Sequence, residues 1–352
     1  MDRYSRHIIL SEIGQEGQNK ITQAKVLVVG AGGLGCPVLQ YLAAAGVGTL
    51  GIIDFDVVEE SNLQRQILFG TSSLGKNKAI AAKQRLEDLN PTIKIKAYPE
   101  TLTSENAIKL FGDYEIIVDG TDNFDTRYLI NDAAVLTNKP VVYGAIYKFE
   151  GQVAVFNYQD SATYRCLFPN KPKANSIANC SEIGVLGVLP GIIGTMQANE
   201  VLKIIIEFKD VLAGKLFCFN AKTNQTATLN INKTKYKIEA LVDSNPSNCK
   251  KRMKNISLEY ALNLENVVFL DVREFHEQPK INIKNYLQIP LSQFSENMSK
   301  IDKNKNTVIM CQHGIRSLKV VEFLKQQNFN NCFNLEGGIV NYNFKIEETD
   351  DK

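Results

Sequence analysis

A short aliphatic run that leads into a cluster of glycines constrains this chain more than any other feature of its sequence. The aliphatic run covers residues 26–29, and the glycines that follow are Gly30, Gly32, Gly33 and Gly35. An alanine-rich apolar stretch with helical spacing continues to Gly46. This order predicts a buried parallel strand, a tight turn and the N-terminus of a helix. Such a turn suits a phosphate group, because glycines admit it closely and the first N–H groups of the helix favour an anion.

An acidic residue further along the chain extends this pattern. Gly30, Gly32 and Gly35 have the spacing G-x-G-x-x-G, and Asp54 ends the next apolar strand, predicted over 49–54. In dinucleotide-binding folds an acid in this place contacts a ribose hydroxyl. The pattern predicts a bound nucleotide and leaves its identity open.

Composition and charge narrow the class of protein. The chain has 352 residues, of which 44% are hydrophobic and 22% charged, as expected for a globular protein of about two domains. Its net charge of +2 gives no reason to expect a nucleic-acid partner. Seven widely spaced cysteines and an N-terminus without an apolar segment favour a reducing cytoplasm. The most apolar stretch, 183–206, contains Pro190, Glu200 and Lys203, and we interpret it as a buried helix and not as a membrane span.

Polar residues recur where the predicted strands end. The block 61–66 follows the second strand, Lys78 opens a helix predicted over 79–89, and a strand predicted over 115–119 leads to Asp122 and Asn123. Repeated strand–loop–helix units predict an α/β fold with a Rossmann-like, parallel or mixed sheet that is covered on both faces. At the carboxyl ends of such strands Asp122 is suited to hold Mg²⁺ against a polyphosphate. Each of these residues alone has an alternative as a helix cap or a loop residue, but their coincidence favours a site.

Five motifs resemble the MoeB/ThiF family, the bacterial relatives of the ubiquitin-activating enzymes. They are RYSR at 3–6, GAGGLG at 30–35, SNLQRQ at 61–66, TDN at 121–123 and YRCLF at 164–168. The resemblance covers residues 3–240, and we assign 1–240 to an adenylyltransferase domain. Beside Gly30 and Gly32, it implies that ATP binds at Gly33, Asp54, Ser61, Asn62, Leu63, Gln64, Arg65, Lys78, Asp122 and Asn123. It also implies a homodimer, in which Arg6 reaches the phosphates bound by the other subunit.

The resemblance also implies the reaction of this domain. The C-terminal glycine of a ubiquitin-like sulfur carrier that ends in Gly-Gly attacks the α-phosphorus of ATP and becomes an acyl-adenylate. Two anions approach each other in this step, so the barrier falls only where cations and N–H donors neutralise the spreading charge. Arg65, Lys78, Arg6 and an Mg²⁺ ion held by Asp122 suit that role, and we expect Arg6, Arg65 and Asp122 to be catalytic.

Members of this family usually bind a structural zinc ion through two C-x-x-C pairs, and this chain departs from that pattern. Thr163 stands three residues before Cys166, where the first pair would have its other cysteine, and near the second pair only Cys249 is present. A closed zinc site needs four Cys or His ligands. We therefore expect no structural zinc.

Cys180 is a candidate nucleophile of the first domain. It precedes the apolar helix that begins near Ile183, and a helix dipole favours a thiolate at that end. The resemblance implies that Cys180 takes up the activated carrier as a thioester or an acyl disulfide; the alternative is a small buried hydrophobe. Cys36, Cys218 and Cys332 lie among apolar neighbours, and we expect them in the core.

A second domain follows a polar stretch. Residues 241–254 have the composition of a linker, and 255–352 open a new α/β pattern, with strands predicted over 267–271 and 307–310 and a helix over 318–327. The second of these strands leads into a loop made of Cys311, Gln312, His313, Gly314, Ile315, Arg316 and Ser317. N–H groups around a cysteine that precedes a helix stabilise a thiolate or a persulfide, and we expect Arg316 to add positive charge.

This loop, together with DVR at 271–273 and LEGGI at 335–339, resembles a rhodanese domain. Its spacing C-x-x-x-x-R makes a smaller ring than the loop of cysteine phosphatases, and the ring fits a sulfur atom. The resemblance implies a persulfide on Cys311, with a cysteine desulfurase as the expected sulfur donor. The alternative is an inactive rhodanese-like module, which normally lacks the cysteine.

The two resemblances together predict an ATP-dependent sulfur-carrier adenylyltransferase whose rhodanese domain converts the carboxylate of the carrier into a thiocarboxylate. The pathway stays open between molybdopterin, thiamine and another thiolation. A nicotinamide-dependent oxidoreductase is one alternative, which shares only the glycine loop and Asp54. Two others are a dehydratase that activates a tRNA-base carboxylate, which normally has no sulfur-transfer domain, and a non-catalytic scaffold.

Overall fold

The chain divides into two units, Met1–Asn245 and Pro246–Lys352. The structure is a computed structural model, and it describes residues 3–172, 184–234, 238–241, 254–327, 329 and 331–342. Each unit has its own sheet and its own hydrophobic core.

The first unit is built around one mixed sheet. Its strands are β1 (Lys25–Val29), β2 (Thr49–Ile53), β3 (Lys94–Tyr98), β4 (Ile116–Asp119), β5 (Val141–Tyr147), β6 (Glu150–Phe156), β7 (Lys215–Asn220) and β8 (Gln225–Asn230). They are ordered β3-β2-β1-β4-β5-β6-β7-β8. The first five strands pair in parallel, and β6, β7 and β8 continue the sheet in antiparallel pairs. The predicted Rossmann-like sheet is confirmed.

Helices cover both faces of this sheet. They are α1 (Ser5–Ile8), α2 (Gly14–Gln23), α3 (Gly35–Ala45), α4 (Lys78–Leu89), α5 (Ser104–Gly112), α6 (Phe124–Leu136), α7 (Tyr164–Leu167) and α8 (Val188–Ile205). Strand β1 shows why both faces are covered, since Val26 and Val28 lie in one core and Leu27 and Val29 in the other. Successive side chains of a strand point to opposite faces, and an aliphatic run therefore needs helices on each side.

Helix α8 accounts for most of the apolar stretch that the sequence predicts to be a buried helix. One of its buried polar side chains, Gln197, donates to the carbonyl oxygens of Asp119 and Val142 at 2.8 and 3.1 Å, which ties α8 to the sheet. In the part of the chain that the structure describes, no helix has the length and apolar character needed to cross a bilayer.

The order of the strands creates a crevice at one place in this sheet. The chain proceeds from β1 outward to β3 on one side and from β4 outward on the other, so that the topology reverses between β1 and β4. Loops that leave adjacent parallel strands diverge at such a switch point and open a ligand crevice. Val29 pairs with Asp119 at the carboxyl ends of these strands, which brings the loops that start at Gly30 and Gly120 to the crevice.

The second unit has the same kind of switch point. Its strands are β9 (Lys254–Ile256), β10 (Val267–Asp271), β11 (Tyr286–Gln288), β12 (Asn306–Met310) and β13 (Cys332–Leu335), and its helices are α9 (Leu258–Leu262), α10 (Phe294–Asn297) and α11 (Ile315–Gln326). The strands pair in parallel in the order β11-β10-β12-β13-β9. Asp271 pairs with Met310 where the topology reverses, and Cys311 therefore follows directly at the crevice.

Candidate functional site

A cavity of about 400 Å³ opens at the switch point of the first sheet. This volume lies within the range of sites that bind small molecules. Its lining brings together most of the residues that the sequence singles out, namely Gly30, Gly32, Gly33, Asp54, Ser61, Gln64, Arg65, Lys78, Asp122 and Asn123. They come from the loops after β1, β2 and β4 and from the start of α4. That these residues bind ATP stays a prediction.

The glycine loop depends on a close backbone contact and on Asp54. A Cβ atom on Gly35 would lie 1.9 Å from the carbonyl oxygen of Gly30, so that only glycine fits at the start of α3. The Asp54 carboxylate accepts the N–H of Ala31 and the N–H of Asp56, both at 2.8 Å. Burial raises the pKa of Asp54 above its ordinary value, although these two hydrogen bonds act in the opposite direction. Asp54 thus holds the loop in shape, and each carboxylate oxygen keeps a lone pair for a ligand hydroxyl.

The two cationic side chains predicted for the cavity, Lys78 and Arg65, differ in how far a neighbouring carboxylate balances their charge. Lys78 has a nearly buried side chain, and its Nζ pairs with the Asp56 carboxylate at 3.1 Å. Arg65 donates from Nη1 to the carbonyl oxygen of Ser61 at 3.0 Å, and among the described residues it pairs with no carboxylate. The charge of Arg65 is therefore available to an anion in the cavity, whereas Lys78 shares its charge with Asp56.

Asp122 and Asn123 have separate roles at the carboxyl end of β4. The side-chain oxygen of Asn123 accepts the N–H of Thr126 at 2.9 Å and caps α6. Helix α6 therefore begins at Phe124, directly after Asn123. Asp122 is exposed, and within the described part of the chain its carboxylate makes no hydrogen bond or ion pair. An uncommitted carboxylate beside an anion-binding loop fits an Mg²⁺ ion that carries a polyphosphate.

Some predicted residues lie outside this lining. Asn62 is buried and its Oδ1 accepts the N–H of Glu59 at 3.2 Å, while Leu63 packs against a hydrophobic core. Their side chains shape the loop and do not face the cavity. Arg6 is exposed on α1 and does not line the cavity of its own chain; its contribution to the other subunit stays a prediction. Cys180 lies outside the described residues.

Two further polar side chains line the cavity that the sequence does not single out as site residues, the buried Gln66 and the half-buried Arg127. The Oε1 of Gln66 and the Nε of Arg127 have no hydrogen-bond partner among the described residues. Arg127 donates from Nη2 to the carbonyl oxygen of Thr121 at 2.8 Å, and its guanidinium lies 5.3 Å from the ring centre of Tyr143. Gln66 is the last residue of the SNLQRQ motif. Arg127 could have been found from its position one helical turn after Asn123.

A hydrogen-bonded thiol stands where the family would bind zinc. The Sγ of Cys166 accepts the N–H of Thr163 at 3.3 Å and that of Thr234 at 3.4 Å, and both threonine hydroxyls lie within 3.5 Å of it. Burial raises the pKa of Cys166, but these hydrogen bonds outweigh it and hold the pKa below its ordinary value.

The residues around Cys166 do not fit a tetrahedral zinc site, because the neutral hydroxyls replace the thiolates that zinc prefers. Across the described ranges, no group of three or more His, Cys, Asp or Glu side chains could hold a metal ion. Cys249 lies outside those ranges, and the absence of structural zinc stays a prediction.

The cysteines predicted to be structural lie in or against the cores. Cys36 and Cys332 are buried, and burial raises the pKa of their thiols to about 12 and about 11. Cys218 is only half-buried, because it lies on β7 toward the antiparallel edge of the sheet, where it packs against a core.

Cys311 occupies the switch point of the second sheet. It is 1% exposed, and its Sγ accepts the N–H of Ser317 at 3.3 Å and the hydroxyl of Ser317 at 3.2 Å. Gly338 closes over the loop with a φ of +70°, and a Cβ atom there would lie 2.4 Å from both the Cys311 carbonyl oxygen and the Gly314 nitrogen. The LEGGI motif thus packs directly on the cysteine loop. Helix α11 begins at Ile315, earlier than predicted, so the loop runs straight into the helix.

Both arginines at this edge are paired with carboxylates. Arg273 is 1% exposed, binds Asp271 at 2.8 Å and donates from Nη1 to Gln312 at 3.2 Å. Arg316 forms a bidentate pair with Glu277, in which both N···O distances are 2.6 Å. The hydrogen bonds from Arg316 lower the pKa of Glu277 to about 2. Glu277, which carries no motif of its own, compensates Arg316; that Arg316 adds positive charge at the cysteine loop stays a prediction.

Comparisons with known proteins match each of the two units to a known family. Residues 4–240 match the ThiF family, and residues 257–345 match the rhodanese-like domain. The probable adenylyltransferase/sulfurtransferase MoeZ of Mycobacterium tuberculosis is 38% identical, over 96% of this chain and 91% of its own length. The sulfur carrier protein adenylyltransferase of Thermus thermophilus is 51% identical, over 63% of this chain and 83% of its own length.

Among solved structures, MccB of E. coli superposes with a TM-score of 0.60 at 22% identity, over 67% of this chain and 74% of MccB, which supports the fold alone. The matches over both units, in the order that the sequence predicts, identify the family. The chain belongs to the ThiF family, and it joins a domain of that family to a rhodanese-like domain.

Proposed function

We propose that this enzyme uses ATP to adenylate the C-terminal carboxylate of a ubiquitin-like sulfur carrier and then replaces the adenylate with sulfur carried by Cys311. One observation carries the proposal: a cavity lined by a glycine loop and by Arg65 and Lys78, and a buried thiol, each lie at the switch point of their own sheet. The relatives named adenylyltransferase/sulfurtransferase have the same pair of activities in their names. A nicotinamide-dependent oxidoreductase would leave Arg65, Lys78 and the Cys311 loop without a purpose.

The cavity supplies the electrostatic conditions for adenylation. A carboxylate oxygen of the carrier bonds to the α-phosphorus, the bond to the β-phosphate oxygen breaks, and pyrophosphate leaves. Arg65 and the N–H groups at the start of α3 stabilise the charge that spreads over the phosphates. Lys78 adds to this as far as its pair with Asp56 permits. An Mg²⁺ ion bound with ATP would be held by Asp122 and would neutralise the leaving pyrophosphate.

The second unit supplies the sulfur. The outer sulfur of a Cys311 persulfide bonds to the acyl carbon, the carbon–oxygen bond to phosphate breaks, and AMP leaves. The product is an acyl disulfide between the carrier and Cys311. A small cellular thiol then attacks the Cys311 sulfur, and the thiocarboxylate leaves. Cys311 is left in a disulfide with that thiol, and a second thiol reduces the disulfide. Cys180 stays a candidate for taking up the activated carrier as a thioester or an acyl disulfide. A linker between the units would permit transfer in cis at an effective concentration on the order of millimolar.

The remaining partners follow from the family. We propose a homodimer in which Arg6 of one subunit completes the cavity of the other, and a cysteine desulfurase as the protein that loads Cys311. A relative named sulfur carrier protein adenylyltransferase supports the choice of carrier.

The adenylation step is tested by ATP–pyrophosphate exchange in the presence of a carrier that ends in Gly-Gly. The purified enzyme should catalyse exchange only with the carrier present. The variant Asp122→Ala should lose exchange by about 10²- to 10³-fold, since one fixed electrostatic group typically contributes that much. Exchange at the wild-type rate in Asp122→Ala would remove Asp122 from the site, and binding of NAD in place of ATP would revive the oxidoreductase.

A further inference from the structure

The pair between Glu277 and Arg316 determines the charge at the entrance to the Cys311 loop. Arg316 is the cation that the loop itself contributes, and both terminal nitrogens of its guanidinium face the two oxygens of Glu277 at 2.6 Å. The side chains of Arg316 and Glu277 are 34% and 22% exposed, so the pair lies at the surface beside the buried Cys311. An N–H bond from Glu274 to Oε1 at 2.8 Å further fixes the Glu277 carboxylate.

The second arginine at this edge is equally compensated. Arg273 is paired with Asp271 beneath the loop, and its Nη1 donates to the side-chain oxygen of Gln312. An anion that approaches Cys311 therefore meets two arginine–carboxylate pairs and gains little net Coulomb attraction from either. A small dianion such as thiosulfate binds more tightly beside an uncompensated cation, because it leaves its hydration shell to reach a buried sulfur and the loop N–H groups replace only part of that shell.

Large apolar side chains are exposed on the segments that carry Cys311, Arg316 and Glu277. Ile315 lies within the loop and is 66% exposed, Val340 is 50% exposed and its N–H donates to Gln312, and Phe275 is 56% exposed two residues before Glu277. Exposed apolar side chains around a reactive group are typical of a surface that contacts another protein. The entrance is therefore apolar with balanced charge, which suits a persulfide presented on a protein surface.

We propose that Glu277 is a specificity-determining residue, which excludes small dianionic sulfur donors and leaves Cys311 to a protein-bound persulfide. This inference rests on the proposed sulfur transfer and concerns the choice of donor. With a protein persulfide, the Cys311 thiolate attacks the outer sulfur, the sulfur–sulfur bond breaks, and the donor leaves as a thiol after taking up the proton of the persulfide. With thiosulfate, the same attack would release sulfite, and Glu277 opposes the approach of that dianion.

The test compares two donors in the full chain, thiosulfate and a protein persulfide on a cysteine desulfurase. We would measure kcat/KM for loading Cys311 from each, at low and at high salt, for the wild type, Glu277→Gln and Glu277→Asp. Glu296→Gln is the matched control, since Glu296 is an exposed glutamate on α10 outside the loop. The quantity of interest is the ratio of kcat/KM for thiosulfate to that for the protein persulfide.

Removal of the charge in Glu277→Gln should raise this ratio about tenfold at low salt, mostly through a lower KM for thiosulfate, and added salt should reduce the gain. Glu277→Asp and Glu296→Gln should keep the wild-type ratio. An unchanged ratio in Glu277→Gln, with Cys311 still loaded by the protein persulfide, would overturn the inference. Loss of loading from both donors in the wild type would instead refute the proposed sulfur transfer.

Discussion

Arg127 offers the sharpest test of how the first site is held together. Its Nη2 bonds the carbonyl oxygen of Thr121, and its guanidinium lies 5.9 Å from the ring centre of Phe124 and 5.3 Å from that of Tyr143. The charged hydrogen bond contributes about 1.5–3 kcal/mol, and each ring contact about 0.5–1 kcal/mol. The buried Nε without a described partner costs about 1–3 kcal/mol. We expect Arg127→Leu to lower the free energy of unfolding by about 2 kcal/mol.

The free energy of unfolding that Arg127→Leu loses should also depend on pH, because Arg127 lies near the buried Asp119. Burial raises the pKa of Asp119, and Arg127 acts in the opposite direction. Without Arg127 this pKa rises further above its value in the unfolded chain. A carboxyl group of this kind favours the folded state while it is protonated, and that contribution is lost as the pH rises through the folded pKa. The stability deficit of Arg127→Leu should therefore be smaller near about pH 5 than near about pH 8.

Urea unfolding followed by circular dichroism measures both effects, since the chain has no tryptophan to report by fluorescence. Arg85→Leu is the matched control: Arg85 is an exposed arginine on α4 and should change stability by less than about 0.5 kcal/mol. Without urea, where Arg127→Leu is folded, its ATP–pyrophosphate exchange should still be slower than that of the wild type. The reason is that the loop of Thr121 and Asp122 is no longer held by Arg127. A deficit below about 0.5 kcal/mol, or one that is the same at both pH values, would refute this reasoning.

Three further predictions follow from the other features. Arg6→Ala and Asp122→Ala should each lose ATP–pyrophosphate exchange. A mixture of the two variants should regain about a quarter of the wild-type activity, because half of the dimers are then heterodimers and each heterodimer has one intact cavity. No recovery after the subunits have mixed would contradict a site shared across subunits. Metal analysis should find well below one zinc per chain, and Cys166→Ser should unfold within about 1 kcal/mol of the wild type because no metal is lost; one zinc per chain would refute this. Gly338→Ala should abolish persulfide loading at Cys311 while carrier-dependent exchange continues, since a Cβ at 2.4 Å from the loop must displace it; normal loading would show that the contact yields.

Patterns within one element were predictable from the sequence, and contacts between elements were not. The aliphatic run of β1, the glycines after it and Asp54 follow from local spacing, and Val29, three of the glycines and Asp54 line the crevice. The parallel order of the strands follows from the repeated units. The antiparallel extension by β6, β7 and β8 was left open, because short strands with polar neighbours carry little directional information.

The missed residues are those whose role depends on a distant partner. Glu277 follows one strand and Arg316 another, and only the switch point between β10 and β12 brings their side chains together. Arg127 looked like an ordinary helix residue because its partners are a backbone carbonyl and two aromatic rings. Thr234 gave no signal at all, since its link to Cys166 spans 68 residues of sequence. Whether a charge is balanced or a polar group is hydrogen-bonded depends on residues that only the folded chain brings together.

The mass of the carrier protein after reaction tests the central claim most directly. The carrier with its Gly-Gly end would be incubated with ATP, a protein persulfide donor, a thiol reductant and either the wild type or Cys311→Ala, while ATP–pyrophosphate exchange is followed in parallel. If the two sites act in series, the wild type replaces one carboxylate oxygen of the carrier by sulfur. Cys311→Ala retains ATP–pyrophosphate exchange but yields no carrier that contains sulfur. Equal amounts of thiocarboxylate from both proteins, or no exchange with any Gly-Gly carrier, would contradict the account.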